Sequence, residues 1–105
     1  MPSKRDIYYK GLDLYGQGNL EEAIEEFNKA LEIDANDGEI YLAISMAYQR
    51  LQDLDKALDA AQHSVELSSN DPLAYTNLSR VCQKKGLFPE AEEALAMSRR
   101  ISSEY

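Results

Sequence analysis

Apolar side chains recur every three or four positions along nearly the whole chain, as in Ile7-Gly11-Leu14, Ala23-Phe27-Ala30 and Ile40-Ile44-Ala47-Leu51. This spacing follows the turn of an α-helix, and the two-residue alternation of a half-buried strand is absent. Breakers and capping residues cut the pattern into six helical segments. Ser3 with Asp6, and Asn19 with Glu22, have the form of capping boxes, which satisfy the unpaired N–H groups of a helix start. Asp37, Asp53 and Asp71 are further N-cap candidates. Pro72 suits a first helical turn, and Gly18 and Gly86 suit left-handed helix stops. The least clearly marked boundaries are Leu51 to Asp53, which carries no glycine, and the Phe88-Pro89 start of the last segment.

The pattern repeats every 34 residues: Ala23, Ala57 and Ala91 keep that step, as do Ile7, Tyr41 and Tyr75, and Gly11, Ser45 and Ser79. Three copies, about 4–37, 38–71 and 72–105, take up almost the entire chain, each with a first helix, A, and a second, B. Small residues stand where A and B would cross, and Tyr41, Tyr75, Tyr48, Leu14, Phe27 and Leu95 fill the large apolar slots. A helix–turn–helix unit of this period resembles the tetratricopeptide-repeat (TPR) family. The chain departs from the family pattern at Ile7, where Trp is common, at Lys10, where Leu is expected, and at Ala35 and Ser69, where Pro usually follows helix B. The resemblance covers the whole chain. It implies an all-α fold, an α-solenoid of six antiparallel helices in a right-handed superhelix, forming one domain over residues 1–105.

Each A helix divides into three stripes. Ile7-Gly11-Leu14, Tyr41-Ser45-Tyr48 and Tyr75-Ser79-Cys82 should pack on helix B of their own copy. A second stripe should meet the preceding B helix. It is apolar in the second copy (Ile40-Ile44-Ala47-Leu51) and mostly so in the third (Ala74-Leu78-Val81-Lys85), but polar in the first (Asp6-Lys10-Asp13-Gln17). At the other end Ile24 and Leu31, then Leu58 and Val65, give way to Glu92 and Arg99. Polar outer stripes are what an array needs when nothing covers its ends, so the expectation is a self-contained unit, with 102–105 frayed.

Composition narrows the function. Nineteen acids against eleven bases give a net charge of −8, which opposes binding to nucleic acid or to an anionic membrane surface. No apolar run approaches the ~18 residues of a membrane span, and no N-terminal apolar segment resembles a signal peptide. With Cys82 as the only cysteine, an internal disulfide is impossible, and the reading is a cytoplasmic protein. Cys82 falls in an apolar slot and His63 on the outer side of a B helix, so neither is a candidate ligand, and no metal or cofactor is expected. Asp34 to Glu39 superficially resembles a calcium loop. Its glycine is fifth rather than sixth and Ser45 falls where the bidentate Glu should be, so it reads as an inter-repeat turn. No nucleophile stands near a base, and the expected function is not enzymatic.

The third A-helix stripe has no partner within the chain and would line the concave side of the solenoid. It comprises Tyr8, Leu12 and Tyr15, then Leu42, Met46 and Gln49, then Thr76, Arg80 and Gln83, flanked by Tyr9, Ala43 and Asn77 and edged by Arg50 and Lys84. An unpartnered stripe would ordinarily be charged. Its aromatic and aliphatic first half is the composition of a partner-binding surface, although these side chains could equally fill the inner curve against one another. The A helices carry seven bases (Lys4, Arg5, Lys10, Arg50, Arg80, Lys84, Lys85) against three acids (Asp6, Asp13, Glu39), whereas the B helices are acidic. The groove is therefore expected to take a protein segment with an apolar portion and an acidic or C-terminal carboxylate portion. Some TPR proteins clamp a chaperone's C-terminal carboxylate with Lys, Asn and Arg. Here those slots hold Tyr8, Leu12, Ala43, Leu73 and Asn77, so the clamp's cations are missing. The alternative function is a structural self-assembly module that covers the same groove with another copy, the chain being a monomer or weak homo-oligomer.

Overall fold

A computed structural model describes residues 2–104. Six helices follow one another: α1 (Lys4–Gly16), α2 (Leu20–Ile33), α3 (Gly38–Arg50), α4 (Leu54–Leu67), α5 (Pro72–Lys84) and α6 (Phe88–Ser103). No strand occurs among the described residues. The capping box at Ser3 is formed: its Oγ accepts from the Asp6 N–H at 3.1 Å, and the Asp6 carboxylate accepts from the Ser3 N–H at 3.4 Å. Asp37, Asp53 and Asp71 each accept a backbone N–H of the helix they open. The second box is a correction. Asn19 stands at the N-cap of α2 without a side-chain capping bond, and its amide donates instead to the Gln17 side chain at 3.2 Å.

The turns within repeats share one left-handed residue. Gly18 and Gly86 take φ of +84° and +78°, and the same slot between Leu51 and Asp53 holds Gln52 at +65°. A side chain in this region strains the backbone by about 1–2 kcal/mol, which glycine avoids. Gln52→Gly is therefore expected to stabilise the protein by about 0.5–1 kcal/mol, once the greater entropy of glycine in the unfolded chain is subtracted. Chemical denaturation would check this, and an unchanged or lower midpoint would contradict it.

Each A helix crosses its own B helix through the small residue. A Cβ on Gly11 would stand 2.5 Å from the Phe27 ring, so only glycine admits that ring. In the other copies Ala61 and Leu95 replace Phe27, and serine replaces Gly11. There Ser45 Oγ donates to the Ala57 carbonyl and Ser79 Oγ to the Ala91 carbonyl, both at 2.8 Å. The second stripe packs backwards as expected: Ile40, Ile44, Ala47 and Val81 are buried, and Ile40 and Ile44 join Ala23, Phe27 and Ala30 in the main core cluster. Asp6, Lys10, Asp13 and Gln17 are exposed, as are Glu92 and Arg99. The expected fraying over 102–105 is corrected at Ser102 and Ser103, which continue α6 beyond buried Ile101; Glu104 lies past the helix end, and Tyr105 lies outside the described residues. No helix among them is long and apolar enough to cross a membrane.

Among the described helices, α1 touches α3 and α3 touches α5, whereas α2, α4 and α6 do not touch one another. The stack therefore bends toward its A helices, which line the inside of the curve. That curvature leaves two surfaces unpartnered: the inner face of the A helices and the gaps between B helices.

Candidate functional site

The inner face is built from side chains that recur at the same slot of α1, α3 and α5. At the first junction Leu12 and Tyr15 of α1 meet Ala43 and Met46 of α3 around a cleft of about 40 Å³. Leu12 is 36% exposed, and Met46 and Leu42 are half-buried. Tyr15 is capped by Arg50, whose guanidinium lies 4.9 Å from the ring centroid and donates to the Tyr15 carbonyl at 3.2 Å. Tyr9 is 50% exposed, with the Arg5 guanidinium 5.6 Å from its ring centroid and donating to its hydroxyl at 3.1 Å.

Tyr8 behaves differently from the rest. Its ring is half-buried 5.8 Å from that of Phe27, and its hydroxyl donates to Glu39 Oε1 at 3.3 Å. Burial, reinforced by the Glu39 carboxylate, pushes its pKa up to about 12, so it remains a protonated donor at neutral pH. Tyr8 is thus chiefly a packing residue, and so in part is Tyr15, since both rest on the core.

The second junction departs from the sequence expectation at two residues. Moved along by one repeat, the four residues of the cleft become Met46, Gln49, Asn77 and Arg80. Gln49 and Asn77 do not line a groove: they are 4% and 3% exposed and bonded to each other, Gln49 Nε2 donating to Asn77 Oδ1 at 2.8 Å. Asn77 Nδ2 also donates to Ser45 Oγ at 3.0 Å. These amides bind α5 to α3, because an unpaired amide in that position would be costly. Thr76 is likewise engaged: its hydroxyl donates to the Pro72 carbonyl at 3.0 Å and lies 2.8 Å from Ser98 Oγ. Arg80, Gln83 and Lys84 are exposed.

Cation pairing also sharpens the charge pattern. Lys4 bridges Asp34 and Asp37 at 3.0 and 2.9 Å, Lys10 meets Glu26 at 3.5 Å, and Lys85 pairs with Asp55. With Arg5 and Arg50 held on tyrosines, Arg80 and Lys84 are the A-helix bases without an ion-pair, hydrogen-bond or aromatic partner among the described residues. The inner face is therefore mainly apolar at α1 and α3 and basic toward the end of α5, where Arg80 and Lys84 stand. One apolar residue of this face escaped the sequence reading as lining. Leu73, 67% exposed, occupies the slot of Arg5 and Glu39 on the next A helix, and extending the inner stripe by one helical turn toward its start would have found it.

Comparison with known proteins agrees with this architecture. A family model described as TPR repeat matches residues 11–52, and one described as tetratricopeptide repeat matches residues 38–71. The photosystem I assembly protein Ycf3 of Prochlorococcus marinus is 27% identical over 84 residues, covering 76% of this chain and 49% of that protein. The chain thus spans about half the length of the curated relatives it matches. Among solved structures, the second TPR of Spaghetti (RPAP3) bound to the HSP90 peptide SRMEEVD superposes with a TM-score of 0.89 at 17% identity, covering 94% of this chain and 92% of that one. The type III secretion chaperone SycD of Yersinia enterocolitica, in complex with a peptide of the translocator YopD, gives a TM-score of 0.87 at 20% identity, covering 92% and 74%. At these identities the likeness is one of fold.

Proposed function

We propose, from the premise that the chain belongs to the tetratricopeptide-repeat family, that it is a protein–protein interaction adaptor whose inner face receives a peptide segment of a partner. The observation that carries this reading is the polarity of that face. A cleft between Leu12, Tyr15, Ala43 and Met46 accepts an apolar side chain, and unpaired Arg80 and Lys84 lie farther along for a carboxylate. Peptide-bound structures of RPAP3 and SycD support a peptide as the class of ligand. The family's carboxylate clamp is not part of the proposal, since its slots carry no Lys or Arg and its Asn77 is buried.

Selection of a random-peptide library on the immobilised protein is expected to enrich segments with a large apolar residue followed by an acidic residue or a C-terminus. The Leu12→Ala/Met46→Ala variant should bind the enriched peptide at least roughly tenfold more weakly, which is about 1.4 kcal/mol. Its stability should fall by only about 1 kcal/mol per site, because both residues are partly exposed. Undiminished binding by this variant would overturn the proposal. Exposed Leu73 and Tyr9 on the same face favour the second reading, self-assembly through the groove. Sedimentation over a concentration series decides it, a strict monomer counting against assembly.

A further inference from the structure

The outer surface holds two equivalent gaps between B helices, and the repeat furnishes them in opposite ways. In the first, between α2 and α4 over α3, the chain supplies its own cover. The His63 ring stacks on Tyr41 with centroids 4.9 Å apart, the Lys56 ammonium lies 5.6 Å from the Tyr48 ring centroid, and Ile24 and Ile44 are buried. One repeat later, between α4 and α6 over α5, those covering residues are replaced. Met97 stands for His63, Glu90 for Lys56 and Cys82 for Tyr48, while the tyrosine beneath persists as Tyr75.

The consequence is an open cleft of about 540 Å³, floored by Tyr75, Leu78 and Cys82 and walled by Leu58 and Met97. Its size falls in the range of sites that bury a ligand. Its rim carries two carboxylates, Glu90 where the first gap has Lys56 and Glu93 where it has Asp59, both exposed and neither in an ion pair among the described residues. Arg100 stands at one end with a guanidinium nitrogen 2.8 Å from Met97 Sδ. The floor from Tyr75 to Cys82 spans two helical turns, the length of a short apolar ridge. What the second repeat provides from its own sequence, a cation resting on a tyrosine face, is what the third repeat lacks.

We propose that the cleft between α4 and α6 is a second docking surface, one for a cationic amphipathic protein segment whose apolar side chains enter it and whose lysine or arginine residues face Glu90 and Glu93. This surface lies on the opposite side of the A helices from the concave groove and prefers the opposite charge, so the two can be loaded independently.

The probe is a fluorescein-labelled amphipathic peptide of leucine and lysine, titrated by anisotropy. Glu90→Lys/Met97→His, which copies the rim of the first gap at partly exposed positions, should weaken binding roughly tenfold or more. Cys82→Tyr, which refills the floor, should do the same. Glu92→Lys reverses a charge on α6 that does not line the cleft and should change binding less than about twofold. Equal weakening by Glu92→Lys and by the rim variant would mean diffuse attraction and would overturn the proposal, as would no binding by the wild type or no loss in the rim variant. Leu12→Ala/Met46→Ala should leave this probe unaffected, which separates the result from the fate of the concave groove.

Discussion

Phe27→Ala is expected to destabilise the protein by about 3–5 kcal/mol, the range for emptying a buried aromatic site. The ring is fully buried, joins the core cluster shared by α2 and α3, and supports Tyr8 at 5.8 Å. It also occupies the space left by the missing side chain of Gly11. Collapse into the void is hindered because the neighbours belong to α1, α2 and α3, and no single helix can move in without parting from another. For a domain of this size each kcal/mol shifts the melting temperature by roughly 4–8 °C, so a drop of at least ~12 °C is expected. The reciprocal change, Gly11→Ala, should cost about 1–3 kcal/mol by overpacking, since its methyl would stand 2.5 Å from the ring. In Gly11→Ala/Phe27→Leu the smaller side chain should relieve the clash, so the two losses should not add. Thermal melts of the wild type, Gly11→Ala, Phe27→Leu and the double variant measure this, with Phe27→Ala melted alongside, and a loss under ~1 kcal/mol for Phe27→Ala would show that the ring is not the keystone of the first repeat.

Asn77→Ala should cost about 1–3 kcal/mol although no apolar core is touched. It removes the acceptor of Gln49 Nε2 and the donor to Ser45 Oγ, and Gln49 is 96% buried, so its amide is left short of a partner. Replacing both amides, as Gln49→Leu/Asn77→Leu, leaves no orphaned group and should recover most of the loss. Ser45 Oγ would still donate to the Ala57 carbonyl. A double-mutant cycle by urea denaturation is the measurement. Simple additivity would show that Gln49 and Asn77 act separately rather than as one contact between α3 and α5.

Both expectations turn on slots that the repeat makes easy to compare. The sequence placed every helix start at Asp37, Asp53 and Asp71 correctly because a carboxylate capping N–H groups is a local interaction, fully specified by its neighbours in the chain. The failure at Asn19 is instructive for the same reason: its side chain had a second local partner in Gln17, and composition does not rank the two. The end of α6 was misjudged because its order comes from the burial of Ile101, a contact made across the fold.

For the candidate sites the division is sharper. Periodicity assigned Tyr8, Gln49 and Asn77 to the inner stripe, but whether an inner-stripe residue is exposed depends on how closely successive A helices approach. Tyr8 is drawn onto Phe27 because Gly11 opens the crossing, and Gln49 and Asn77 are sealed because they bond each other between α3 and α5. The outer cleft was invisible to a reading that treated Cys82 as an ordinary apolar slot, since its opening is a matter of missing volume above Tyr75.

By itself the sequence determined the period, the six helices, the caps at Ser3, Asp37, Asp53 and Asp71 and which stripe of each A helix faces a neighbour, because these follow from spacing along the chain. Only the tertiary structure decided which unpartnered residues remain open to a visitor. Exposure is a property of the distance between helices, and that distance is set jointly by side chains 34 residues apart.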